Sequence, residues 1–171
     1  MKRPAPLALK ALTAGRKPGA DGFFRFDVNE RDWICLALGC AQGLQDLLAL
    51  WTEGNVVCMG LCVIPDGLRA IVSHPIKKGQ YPSVGLNHPP ALRLERTIRD
   101  LKGPEAAGHT DPRGWIDHGT WPARKIDQKR PRAATTYTIL PLQGEGLHQI
   151  PVGPVHAGII EPGHFRFTAN G

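Results

Sequence analysis

Apolar positions along this chain fall into short runs whose spacing alternates between two periods, and the switches between them mark out the elements. Residues 23–28 are short and aromatic-rich and predict a first strand. Asn29 then offers a helix N-cap, with Asp32 in a capping-box-like place three residues on. Trp33, Leu36, Ala37, Cys40 and Leu44 follow at helical spacing and predict a helix of about three turns. Gly39 weakens that helix by about 1 kcal/mol relative to alanine, and Gly43 ends it. Three strand-like runs come next, at 47–53, 56–64 and 68–74. The first two are separated by Gly54-Asn55, a two-residue hairpin signal, and the last two by the turn Pro65-Asp66-Gly67. The middle run is apolar on both faces, as a central strand covered from each side would be. An antiparallel meander with helices packed on it fits these signals.

Residues 77–88 read as loop, and Pro89-Pro90 opens a second helix, where a proline in the first turn costs little. Ala91, Leu94, Ile98 and Leu101 form its apolar stripe. Glu95 and Arg99, and separately Arg93 with Glu95 or Arg96 with Asp100, are expected on the rest of the helix surface, the pairs four residues apart each stabilising by a few tenths of a kcal/mol. Gly103-Pro104 stops it. Residues 105–122 look irregular, residues 137–142 β-like, and 149–152 and 165–168 are a candidate strand pair around a Gly/Pro-rich loop. The fold class expected is therefore α+β, with helices on an antiparallel or mixed sheet and a C-terminal β-hairpin extension.

Charge divides the chain further. The net charge is +6, but residues 1–20 carry five basic side chains and no acid, and residues 123–136 carry Arg124, Lys125, Lys129, Arg130 and Arg132 against Asp127 alone. Neither stretch has apolar periodicity. The organisation expected is a disordered basic tail over 1–22, an α+β domain over 23–122, a basic linker over 123–136 and a further domain beginning within 137–171. The longest apolar run, 56–64, is about half the roughly 20 residues a membrane-spanning helix needs. Lys10 interrupts the apolar 7–12 stretch, so a secretory signal is not expected. Four cysteines in apolar sequence, Cys35, Cys40, Cys58 and Cys62, point to a reducing, cytoplasmic setting. Cys58 and Cys62 loosely meet a zinc-ligand spacing, but on a strand they would sit about 13 Å apart, too far for one ion, so core packing is the expectation.

Three stretches carry a family resemblance. Leu92-Arg93-Leu94-Glu95-Arg96-Thr97-Ile98-Arg99-Asp100-Leu101-Lys102-Gly103 resembles the signature helix of the 30 kDa subunit of complex I. Gly108-His109-Thr110-Asp111-Pro112-Arg113, followed by Trp115-Ile116-Asp117-His118-Gly119, looks like the loop after that helix, in the variant found in large subunits of formate-hydrogenlyase-type NiFe hydrogenases. The run from Glu145-Gly146-Leu147-His148-Gln149-Ile150-Pro151-Val152 through Gly163-His164-Phe165-Arg166-Phe167 closely resembles the opening of the catalytic domain in the same hydrogenase polypeptides. In that family a domain like the complex I 30 kDa subunit is fused ahead of the large-subunit domain. Lys102 departs from the pattern, standing where complex I usually has Phe.

The resemblance implies a Ni–Fe centre and iron–sulfur clusters in the complex, and none in this chain. The family's Cys-x-x-Cys pairs are missing; four residues separate Cys35 from Cys40 and three separate Cys58 from Cys62. It implies as partners the large and small iron–sulfur subunits of a hydrogenase or of complex I, membrane subunits indirectly, and no small-molecule substrate bound by the chain alone. The place implied is the cytoplasmic face of the inner membrane, held through those partners. Glu95, Arg96, Asp100, Gly103, Asp111 and Arg113 are the signature residues. His156, His164, Glu161 and Arg166 would lie in a loop near a redox or quinone site, where a histidine changing protonation near neutral pH would accompany electron transfer; packing within the loop is the plainer role. His109, Asp111, Arg113 and Asp117 form no nucleophile–base–orienter set and are expected to make polar interface contacts.

The function expected is a structural or docking component of a hydrogen-evolving complex, with a component of NADH:quinone oxidoreductase as the alternative. A basic nucleic-acid-binding protein is a rival of another class. It draws on a pI near 9.4 but lacks interleaved aromatics and any binding motif. A truncated product of a longer gene is a third expectation.

Overall fold

A computed structural model describes residues 4–117, 143–152 and 165–170. The chain divides into two compact units, Met1–Thr135 and Thr136–Gly171, and each is taken by itself.

The first unit is built on a four-stranded mixed sheet, order β1-β4-β3-β2. The strands are β1 (Phe24–Asp27), β2 (Asp46–Glu53), β3 (Val56–Val63) and β4 (Leu68–Pro75). The last three form the expected antiparallel meander, and β1 joins by pairing in parallel with β4, Phe26 beside Val72. The β2–β3 turn takes positive φ at Gly54, and the β3–β4 turn at Gly67, where an L side chain would be strained. Strand β3 is buried along all but its first residue, as its unbroken apolar run requires.

Alternation along the strands sends Val57, Met59, Leu61 and Val63 into one core with Leu50, Ala70 and Val72. Helix α2 (Glu30–Ala41) closes that core with Trp33, Leu36, Ala37 and Cys40. Its start is as the sequence predicts: the Asn29 side chain accepts the Asp32 amide hydrogen at 2.9 Å. Trp33 is fully buried, and its indole N–H donates to the Pro82 carbonyl at 2.9 Å.

Three expectations need correction. Residues 4–22 are not a disordered tail in this structure. They include the short helix α1 (Leu9–Thr13), and Leu9 is fully buried. Buried Gln45 fastens this segment: its Oε1 accepts the Leu9 amide at 3.1 Å, and its Nε2 donates to the Leu7 and Leu36 carbonyls, both at 3.0 Å. The apolar Leu7, Leu9 and Leu12 were too few to show a period, yet they suffice once a neighbouring side chain satisfies the backbone. Gly39 has its reason here too. A Cβ at that position would lie 2.5 Å from the Leu7 carbonyl oxygen and closer still to Gln45 Nε2, so the helix gives up propensity to let the segment approach.

Second, residues 77–88 and 105–122 are not wholly irregular. β5 (Gln80–Pro82) pairs in parallel with β6 (Glu105–Ala107) across the intervening α3 (Leu92–Lys102), a pairing that no local pattern announces. Third, the charged side of α3 is not solvated. Glu95, Arg96 and Asp100 are buried along with Ile98, whereas Leu94 and Leu101 are only partly so. The i,i+4 pairs expected there are replaced by bonds to two loops.

In the second unit, β7 (Leu147–Val152) and β8 (Phe165–Asn170) form an antiparallel hairpin with Ile150 opposite Phe167. This is the expected C-terminal extension, each strand longer by two residues. Ile150, Val152 and Phe167 are exposed.

Candidate functional site

Helix α3 projects three ionisable side chains into the protein, Glu95, its neighbour Arg96 and, about one turn on, Asp100, and each holds backbone. Glu95 sits under the loop after β5: its Oε1 accepts the amides of Val84 at 2.6 Å and Gly85 at 3.1 Å, and its Oε2 accepts the Ser83 hydroxyl at 2.9 Å. Burial pushes its carboxyl up, while those three bonds pull it back down. Gly85 is required for this closeness, because a Cβ there would meet Leu92 at 2.6 Å and Glu95 at 2.8 Å.

The next residue, Arg96, threads the loop that follows β6. Its Nε donates to the Arg113 carbonyl at 3.0 Å, Nη2 to the Gly114 carbonyl at 2.7 Å and Nη1 to Asp111 Oδ2 at 2.9 Å. Asp111 also accepts both Nε and Nη2 of Arg113, at 2.8 and 2.7 Å, which with its other partners holds its carboxyl well below the usual range. Asp100 completes the grip. Its Oδ2 accepts three successive amides, Trp115 at 2.7 Å, Ile116 at 2.8 Å and Asp117 at 3.2 Å. Such a run of N–H groups converging on one oxygen is an anion nest whose anion is the protein's own side chain. The guanidinium groups of Arg93 and Arg96 lie over the Trp115 ring, 4.9 and 5.2 Å from its centre. Gly103 closes the helix at φ +96, its amide donating to the Arg99 carbonyl at 3.0 Å.

His109 links the two loops. Its Nδ1 accepts the Asp111 amide hydrogen at 3.0 Å, which assigns the ring proton to Nε2; that nitrogen lies 3.2 Å from the Leu92 carbonyl and 3.7 Å from Glu95 Oε2. The structure thus brings Glu95, Arg96, Asp100, Asp111, Arg113 and His109 together around one helix. It uses them as internal fastenings of the loop. The arrangement contains no activated nucleophile. What it does chemically is hold two irregular loops, 83–86 and 109–117, in fixed shapes beside one another. His156, His164 and Glu161 lie outside the described residues. Arg166 is placed on strand β8, opposite Pro151, by its backbone alone.

The chain is similar to two hydrogenase-complex components. It is 37% identical over 103 residues to hydrogenase-4 component G of Escherichia coli, which is 54% of this chain and 19% of the relative. To formate hydrogenlyase subunit 5 of the same organism it is 34% identical over 106 residues, 55% of this chain and 19% of the relative. The chain thus spans about a fifth of the length of the curated relatives it matches. No family model matches it.

The cysteines do not fit a nickel–iron or iron–sulfur site. Cys35 and Cys40 are on α2 and Cys58 and Cys62 on β3, all four buried as free thiols. Burial pushes Cys40 up to about 12 and raises Cys58 and Cys62 as well, so these three are protonated as free thiols near neutral pH. Among the described residues no cluster of three or more His, Cys, Asp or Glu could hold an ion. No helix described is long and apolar enough to cross a membrane.

Proposed function

We propose that this chain is a docking and scaffolding part of a formate-hydrogenlyase-type NiFe hydrogenase complex: a domain like the complex I 30 kDa subunit, followed by the start of a large-subunit domain. The observation that carries the reading is its similarity to two hydrogenase-complex components. In this reading the chain contributes no redox ligand. It presents rigid surfaces on which iron–sulfur and large-subunit elements assemble, at the cytoplasmic face of the membrane and through those partners. The clamp around α3 supports it, because loops fixed by buried charges present one shape to a neighbour. So does the hairpin, whose exposed Ile150, Val152 and Phe167 suit burial under another protein; a lone two-stranded hairpin is at best marginally stable.

The test is isolation of the affinity-tagged full chain from its native host in mild detergent, with mass spectrometry of what accompanies it. Hydrogenase iron–sulfur and large-subunit polypeptides should co-purify in fixed proportion. Substituting Ile150→Asp and Phe167→Asp together should release them without unfolding the first unit. Quinone-reductase polypeptides in their place would redirect the reading to complex I, and no redox partner at all would end it.

A further inference from the structure

From Ala91 to Asp117 the sequence is balanced in charge: Arg93, Arg96, Arg99, Lys102 and Arg113 stand against Glu95, Asp100, Glu105, Asp111 and Asp117. The fold separates the two signs. Glu95, Asp100 and Asp117 are buried and Glu105 is half-buried. Asp111 keeps only 19% of its side chain exposed, whereas Arg113 keeps 67%, and Arg93 and Lys102 are exposed as well. What the helix and its loop show to the solvent is therefore basic, although the segment as a whole is neutral.

The loop also gathers the guanidinium groups. Arg99 donates to the Pro112 and Arg113 carbonyls and Arg96 to those of Arg113 and Gly114, while Arg96 and Arg113 share Asp111. Arg93 reaches the loop from the other side, its guanidinium 4.9 Å from the centre of the Trp115 ring, and that residue is still 39% exposed. Trp115 and Arg113 thus stand at the surface on a backbone that Arg96, Arg99 and Asp100 hold still. Tryptophan and arginine are the side chains that most often anchor protein interfaces, and a pre-set backbone lowers the entropic cost of docking.

We propose that this face, Trp115 between Arg93 and Arg113, docks an acidic segment of a partner protein, with Asp or Glu side chains on the two exposed guanidinium groups and an aliphatic side chain on the indole. Charge complementarity selects the partner, because the acids of this segment are turned inward and the outward cations are left to meet carboxylates from outside. Nucleic acid is the other polyanion, and it suits the face less. Trp115 is the one Phe, Tyr or Trp between 91 and 117, and it already lies against two guanidinium groups, so successive bases find no row of rings to stack on. The proposal deepens the hydrogenase reading by stating what one partner must carry, and it rests on that reading for which protein the partner is.

The probes are octaglutamate and an eight-nucleotide thymidine strand, added to the full chain labelled with nitrogen-15. Octaglutamate should shift the Trp115 indole N–H and the amides of Arg93 and Arg113 saturably, and added salt should weaken it. Arg93 is exposed and meets the rest of the protein at the Trp115 ring, so Arg93→Glu should keep the amide spectrum of residues 115–117 while weakening octaglutamate at least about fivefold; Arg93→Lys should restore most of the binding. Shifts confined to the basic stretch 123–136, tighter binding of the thymidine strand at Trp115, or equal binding by Arg93→Glu would each overturn the proposal. The same variant is then carried through the tagged purification with a wash at raised salt. Hydrogenase polypeptides should stay with the wild type and leave Arg93→Glu. Their retention by both overturns the docking face and spares the hydrogenase reading; their absence from both overturns that reading, and the octaglutamate shifts alone then decide the face.

Discussion

Helices α2 and α3 are nearly equal in length and both lie against protein, yet they are held by opposite means. α2 buries Trp33, Leu36, Ala37 and Cys40 in a continuous apolar core. α3 buries Glu95, Arg96 and Asp100, each bonded to backbone of a loop. Apolar burial is non-directional and tolerates adjustment, whereas buried charge stabilises only while every bond to it is made. α2 therefore supplies bulk stability, and α3 supplies the shape of the surface formed by residues 83–86 and 109–117.

The contrast can be broken first at its apolar end. Trp33→Ala should cost about 3–5 kcal/mol, the sum of lost transfer and a cavity, read as a fall in the denaturant midpoint. A loss under about 1 kcal/mol would mean the core does not rest on α2. Next, Asp100→Ala strands three amides, while Arg99 keeps its bonds to the Pro112 and Arg113 carbonyls, and should cost about 3 kcal/mol. Its distinguishing sign is local: amide exchange at residues 115–117 should accelerate far more than in the sheet, while Trp33→Ala should speed exchange throughout.

Gly39→Ala sharpens the comparison from the other side. Helix propensity alone predicts a gain of about 1 kcal/mol. The blocked approach of Leu7 and Gln45 predicts a net loss of about 1–2 kcal/mol, with the Leu9 amide losing exchange protection. The smallest effect is in pH dependence. Glu95 has a folded-state pKa raised above its unfolded value, so protonation favours the fold, and the wild type should lose stability relative to Glu95→Gln as pH rises through and above the ordinary glutamate range. Parallel stability curves for the two proteins from about pH 4 to 8 would show that the buried carboxyl is fully compensated by its bonds.

What was legible in the sequence was local. The meander, the Asn29 cap and the hairpin at the C-terminus each depend on neighbouring residues with matching periods and turns, and each formed as read. The parallel pairings of β1 with β4 and β5 with β6 join segments far apart in the chain and leave no periodic trace. The burial of Glu95, Arg96 and Asp100 was hidden for another reason: periodicity scores a charged residue as solvated, and an adjacent pair followed by a third about one turn on looks like an outer face. The usable signal lay next door, in loops rich in Gly and Pro whose amides needed acceptors. Family resemblance marked these residues without giving their role, which the hydrogen bonds supply. Gln45 carried no signal at all.

The four sequestered thiols have a practical consequence. A reagent that seeks exposed thiolates will find the native protein almost inert, with Cys40 the most resistant. A single cysteine introduced at Thr168, which is exposed on the hairpin, would therefore take up a fluorophore or spin label selectively, with no need to delete the natural ones. The label's spectrum then reports on the hairpin in the intact chain, before and after its partners arrive.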